Sequence, residues 1–68
     1  MIIEFIGKRI RSLRLDKGLS QEKLAMKTGL DRTYIAGIEC GKRNVSSRNL
    51  EKILDALEIS FHDFFEGT

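Results

Sequence analysis

One short pattern occurs four times in this chain and leaves it few choices of fold. An apolar residue is followed by Ser or Asp and, four residues later, by a second apolar residue: Leu19-Ser20…Leu24, Leu30-Asp31…Ile35, Val45-Ser46…Leu50 and Ile59-Ser60…Phe64. Ser and Asp are strong helix N-caps, because their side-chain oxygen accepts a hydrogen bond from a backbone N–H that the first turn leaves unpaired. The apolar pair around each cap has the spacing of a hydrophobic staple, which sets the angle at which the chain enters the helix. Four such starts within 68 residues imply short helices throughout.

The stops agree with the starts. Gly18, Gly29 and Gly41 stand where helices opened in this way should end, and glycine takes the left-handed C-terminal conformation cheaply. The chain has no proline to interrupt a helical segment. Apolar periodicity predicts helices over about residues 2–17, 21–28, 32–40, 47–58 and 61–66, the first with Ile2, Ile3, Ile6, Ile10 and Leu13 on one face. No period-two strand, repeat, linker or low-complexity stretch is visible. The expected fold class is all-α, a compact five-helix bundle forming one domain over residues 1–68.

The totals remove several function classes. A chain of this size buries only about 60% of its unfolded surface, and no apolar run approaches the roughly 20 residues of a membrane helix. The opening Met1-Ile-Ile-Glu-Phe-Ile-Gly is too short for a signal peptide and is interrupted by Glu4. The single Cys40 has no internal disulfide partner, and neither it nor the lone His62 belongs to a metal-ligand cluster. With no nucleophile–base pair, carboxylate dyad or phosphate loop, no catalytic residue, metal or cofactor is expected. The chain reads as a cytoplasmic domain without a membrane partner. Its net charge of +2 is unevenly spread: residues 1–48 hold 11 Lys and Arg against 5 Asp and Glu, and residues 49–68 hold 1 against 5. A body of +6 beside a terminal region of −4 suits a polyanion bound on one side only.

Residues 30–44, LDRTYIAGIECGKRN, give that charge a geometry. At 100° per residue Ile35 and Ile38 mark an inner side, while Thr33, Ala36, Gly37 and Cys40 make an outer side that is small and uncharged. Only Thr28-Gly29-Leu30 joins this helix to the one before it, so the two cross steeply, as in a helix-turn-helix. The major groove of B-DNA, about 12 Å wide, admits one helix. A small outer face lets the backbone lie close to base edges, and Arg32, Thr33 and Tyr34 occupy the N-terminal end, the end that meets bases in this motif. The alternative use of such a face is close helix–helix packing.

The stretch LSQEKLAMKTGLDRTYIAGIECGKRN resembles the lambda-repressor/Cro-type helix-turn-helix, and the likeness extends from IGKRIRSLR to ISFHDFF. Within that family, RTYIxGIExGxRN is most similar to the controller proteins of bacterial restriction-modification systems. The resemblance implies a homodimer on inverted-repeat operators of double-stranded DNA, regulating its own gene and that of the endonuclease, with RNA polymerase as a further candidate partner and a nucleoid-associated location. Prophage-type or stand-alone repressors, and antitoxins whose main partner is a toxin, are the alternatives.

Arg32 is the first choice for base readout, since its fork fits the O6 and N7 of guanine; a phosphate contact or a surface salt bridge is its alternative. Thr33 suits a thymine methyl or a base acceptor. Tyr34 sits at the flank, where a base or phosphate contact competes with packing. Lys42, Arg43 and Asn44, in the loop after the recognition helix, are placed for backbone or minor-groove contacts. Ser46, Ser47 and Arg48 start the fourth helix near the same strand, with Ser46 also a cap. The resemblance implies that Gln21, at the first turn of helix two, grips a phosphate, and that Arg14 and Glu39 form a structural ion pair between helices one and three. Cys40 departs from the family, which often has Arg there. Phe61, Phe64 and Phe65 form a stripe on the last helix; Phe64 is expected in the core, and Phe61 and Phe65 at a dimer interface.

Overall fold

Every one of the four Ser/Asp starts opens a helix. In the computed structural model, which describes residues 2–66, Ser20, Asp31, Ser46 and Ser60 each accept a backbone N–H two or three residues on, at 2.9–3.1 Å. The helices are α1 (Ile2–Asp16), α2 (Gln21–Thr28), α3 (Arg32–Glu39), α4 (Ser47–Leu57) and α5 (Phe61–Phe65). The stapling pairs also form as predicted: Leu24, Ile35, Leu50 and Phe64 are buried, and Leu19, Leu30, Val45 and Ile59 pack half-buried against the same core. Among the described residues there is no strand, and no helix is long and apolar enough to cross a membrane.

Ile10, Leu24, Ile35, Ile38, Ile53, Leu54, Leu57 and Phe64 form the sealed centre of the core. Each contributes about 1.5–3 kcal/mol by leaving water. Helix α1 packs on α3, α3 on α2, α2 on α4 and α4 on α5, within an envelope of 27 × 24 × 21 Å. Of the five residues expected on the inner stripe of α1, Ile6, Ile10 and Leu13 reach the core, while Ile3 is half-buried and Ile2 is 61% exposed. Gly7 completes that stripe in place of a large side chain. A methyl group there would collide with the carbonyl oxygen of Ile38, so α1 and α3 meet backbone to backbone.

Two connections differ from what glycine positions suggest. Gly18, Gly29 and Gly41 are all left-handed, but so is Glu58, which ends α4 at φ 59° without being glycine. Its N–H donates to the Asp55 carbonyl at 3.1 Å, and its carboxylate meets Lys17 Nζ at 3.2 Å in an exposed ion pair. The second unforeseen tie is Arg9. It donates from Nε to the Phe64 carbonyl at 3.0 Å and from Nη2 to the Asp63 carbonyl at 3.2 Å. Among the described residues no backbone N–H pairs these two carbonyls at the C-terminal end of α5, and the guanidinium ties α5 to α1 through them.

Candidate nucleic-acid interface

The turn between α2 and α3 is built tightly. Gly29, at φ 74°, donates its N–H to the Ala25 carbonyl at 2.8 Å, and Thr28 Oγ1 accepts the Leu30 N–H at 3.2 Å. Asp31 then caps α3 on the Thr33 N–H. Arg32 and Thr33 are thereby presented at the start of α3, and both are exposed. Among the described residues no ion pair or hydrogen bond engages the Arg32 guanidinium, so the surface salt bridge is not formed.

The outer face of α3 is less open than its composition suggests. Gly37 is half-buried, and a methyl group there would lie 2.6 Å from Arg43 Cγ. Its carbonyl accepts the N–H groups of Lys42 and Arg43 at 2.9 and 3.1 Å. The missing side chain at Gly37 thus seats the stem of Arg43 and anchors the loop that carries it. The Arg43 guanidinium lies over the Tyr34 ring, 5.9 Å from its centroid. Tyr34 is half-buried against the core, and its hydroxyl oxygen accepts a hydrogen bond from Asn49 Nδ2 at 3.0 Å. Tyr34 therefore serves packing and surface together. Thr33 and Cys40 are exposed, with the Cys40 thiol directed to the Ala36 carbonyl at 2.9 Å.

Lys42, Arg43, Asn44, Ser46, Ser47 and Arg48 are all exposed in the segment that follows α3. Ser46 spends its hydroxyl on the Asn49 N–H as the α4 cap. Gln21 is half-buried, and its Nε2 donates to Glu39 Oε1 at 3.1 Å, which uses one of its two amide N–H donors. Glu39 also takes two bonds from Arg14, Nε to Oε2 at 2.7 Å and Nη2 to Oε1 at 3.0 Å, and Arg14 Nη1 donates to the Leu19 carbonyl at 2.7 Å. Both charged side chains are nearly sealed from water, and every buried side-chain nitrogen and oxygen described has a partner. A buried carboxylate without such partners would be prohibitively costly. On α5, Phe61 is 42% exposed, whereas Phe65 is half-buried with its ring 4.9 Å from Phe64 and 6.2 Å from Phe5.

A helix-turn-helix family model matches residues 10–64. The chain is also 49% identical over 63 residues to control protein C.BamHI of Bacillus amyloliquefaciens, an alignment covering 91% of this chain and 78% of that protein. The chain is a member of the helix-turn-helix control proteins. Among solved structures, the restriction-modification controller C.AhdI from Aeromonas hydrophila superposes with a TM-score of 0.88 at 49% identity, covering 93% of this chain and 96% of that one. The controller C.Esp1396I, solved as a tetramer with its natural 35 base-pair operator, superposes with a TM-score of 0.91 at 45% identity, covering 97% of this chain and 87% of that one. In this control-protein fold α2 and α3 are the helix-turn-helix pair.

Sequence reasoning missed Asn49, Gly37's service to Arg43, and the inward use of Gln21. Asn49 had a weak signal, since it is a polar residue in the first turn of α4, alongside the exposed Ser47 and Arg48. Gln21 had none, because a glutamine after a cap looks the same whether it turns out or in.

Proposed function

We propose that this chain is a sequence-specific DNA-binding transcriptional regulator, acting as a homodimer on inverted-repeat operators in the manner of a restriction-modification controller. The observation that carries the reading is the close superposition, at 45% identity, on a controller bound to its operator. Support comes from the start of α3: Arg32 and Thr33 are exposed, and the Arg32 fork is unspent. Lys42, Arg43, Asn44, Ser47 and Arg48 supply the flanking polar and cationic groups, and Tyr34 the aromatic edge between them. On this reading Gln21 serves both sides: one amide N–H holds Glu39 and the other is left for a phosphate. The whole chain acts as one non-catalytic domain in the cytoplasm, with RNA polymerase as the second macromolecule at the promoter.

The decisive variant is Arg32→Ala. A bidentate arginine–guanine contact gives about 1–3 kcal/mol of discrimination. Binding should weaken on a selected operator and lose preference at one base position per half-site, while affinity for random duplex stays nearly constant. An equal loss on both duplexes would make Arg32 a phosphate contact instead.

A further inference from the structure

The Asn49 amide meets Tyr34 in a way that fixes what the tyrosine can offer. An amide nitrogen only donates, so at 3.0 Å the Tyr34 oxygen is the acceptor and its own proton is left for another partner. Among the described residues nothing takes that proton. The ring is held as well, packed against the core along one side and covered by the Arg43 guanidinium. Arg43 is itself seated in the space that Gly37 leaves. The result is a phenol whose position, ring plane and hydroxyl polarity are set before any ligand arrives, next to Thr33 and the cationic loop.

We propose that Asn49 is a positioning residue for DNA binding: it holds the Tyr34 hydroxyl as an outward donor to an acceptor oxygen of the bound duplex, on a phosphate or a base edge. The inference rests on the DNA-binding reading above. The opposite amide orientation would turn the phenolic proton inward to the amide oxygen and leave only lone pairs facing outward, which an acceptor oxygen of DNA could not use. Preorganisation of this kind strengthens a contact by removing the cost of ordering it during association.

A double-mutant cycle tests the assignment. Wild type, Tyr34→Phe, Asn49→Ala and the double variant are titrated against two probes, a duplex recovered from a random pool by wild-type selection and an unselected duplex. Tyr34→Phe should lower affinity about tenfold and Asn49→Ala about fivefold, with the double variant no weaker than Tyr34→Phe alone. Coupling on both probes identifies a phosphate acceptor, and coupling on the selected probe only identifies a base edge; either supports the proposal. Asn49→Asp provides the second variant, since it keeps the shape but cannot donate. It should cost more with Tyr34 present than in the Tyr34→Phe background, where the effect of its added charge is measured alone. Thermal melts of all variants should stay close to wild type, as a purely structural asparagine would not allow. Multiplicative losses, or no loss from Asn49→Ala, would overturn the positioning role while leaving DNA binding intact. Failure of the wild type to bind either duplex would overturn both.

Discussion

Single side chains in this protein do two things at once, and Gly37 is the clearest case. Its small size reads in the sequence as an open face for DNA, yet in three dimensions it is the seat of Arg43. A glycine-to-alanine change inside a helix ordinarily stabilises it by roughly 0.5–1 kcal/mol. At Gly37 the added methyl meets Arg43 at Cγ, near its backbone, so the loop has to shift. Gly37→Ala should lower the melting temperature despite the helix gain, displace Arg43 from the Tyr34 ring and lower DNA affinity about tenfold, as loss of one charge-assisted contact would. Arg43→Ala should weaken operator and random duplex alike and reduce the salt slope by roughly 0.9 if the guanidinium meets one phosphate. Titrations at several salt concentrations check both variants. An unchanged affinity for Gly37→Ala would detach Arg43 from the DNA surface.

At the scale of elements, the helices are set by local chemistry and their mutual placement by a few nonlocal ties. Caps and staples act within five residues, so their pattern was legible in the sequence and located the start of each of the last four helices. Gly18, Gly29 and Gly41 mark further stops locally, whereas other features involve groups distant in the chain. Glu58 turns left-handed where Lys17 meets its carboxylate, Arg9 closes α5, and Gly7 admits the Ile38 carbonyl. None of these has a local periodicity that sequence reading detects. The same distinction holds for the candidate site: the exposed start of α3 follows from helical phase, whereas Asn49 and Gln21 are assigned only by what folding brings beside them.

The Arg14–Glu39–Gln21 cluster joins α1, α2 and α3, and its members should rank by what each leaves unpaired. Removing one partner of a buried pair costs about 3–5 kcal/mol. Glu39→Gln and Arg14→Ala should each lower the melting temperature by more than about 10 °C, given the size of the domain. Gln21→Ala, which leaves the Arg14 pair in place, should cost only about 1–2 kcal/mol. Thermal unfolding followed by circular dichroism gives the order, and equal effects from all three would show that the pair is not the dominant tie.

For the whole molecule, charge and apolar surface both point α5 away from DNA. The last 20 residues carry a net −4 against +6 for the rest of the chain, and Phe61 lies exposed within them. Phe65 is a poorer probe of assembly than Phe61, because its contacts with Phe64 and Phe5 make it part of the fold. A twofold interface repeats each residue across the axis, so Phe61→Asp places two charges in it. The variant should stay folded, sediment as a monomer and lose tight operator binding. A dimer of undiminished affinity would put the interface elsewhere. Two recognition helices related by such an axis read half-sites about 34 Å apart, one turn of DNA. The most direct measurement is binding selection by the wild-type protein from a random duplex pool, followed by sequencing. An inverted repeat with half-sites about one turn apart, or a multiple of it, is the predicted outcome. A pool with no consensus, or an isolated unrepeated site, would contradict the account.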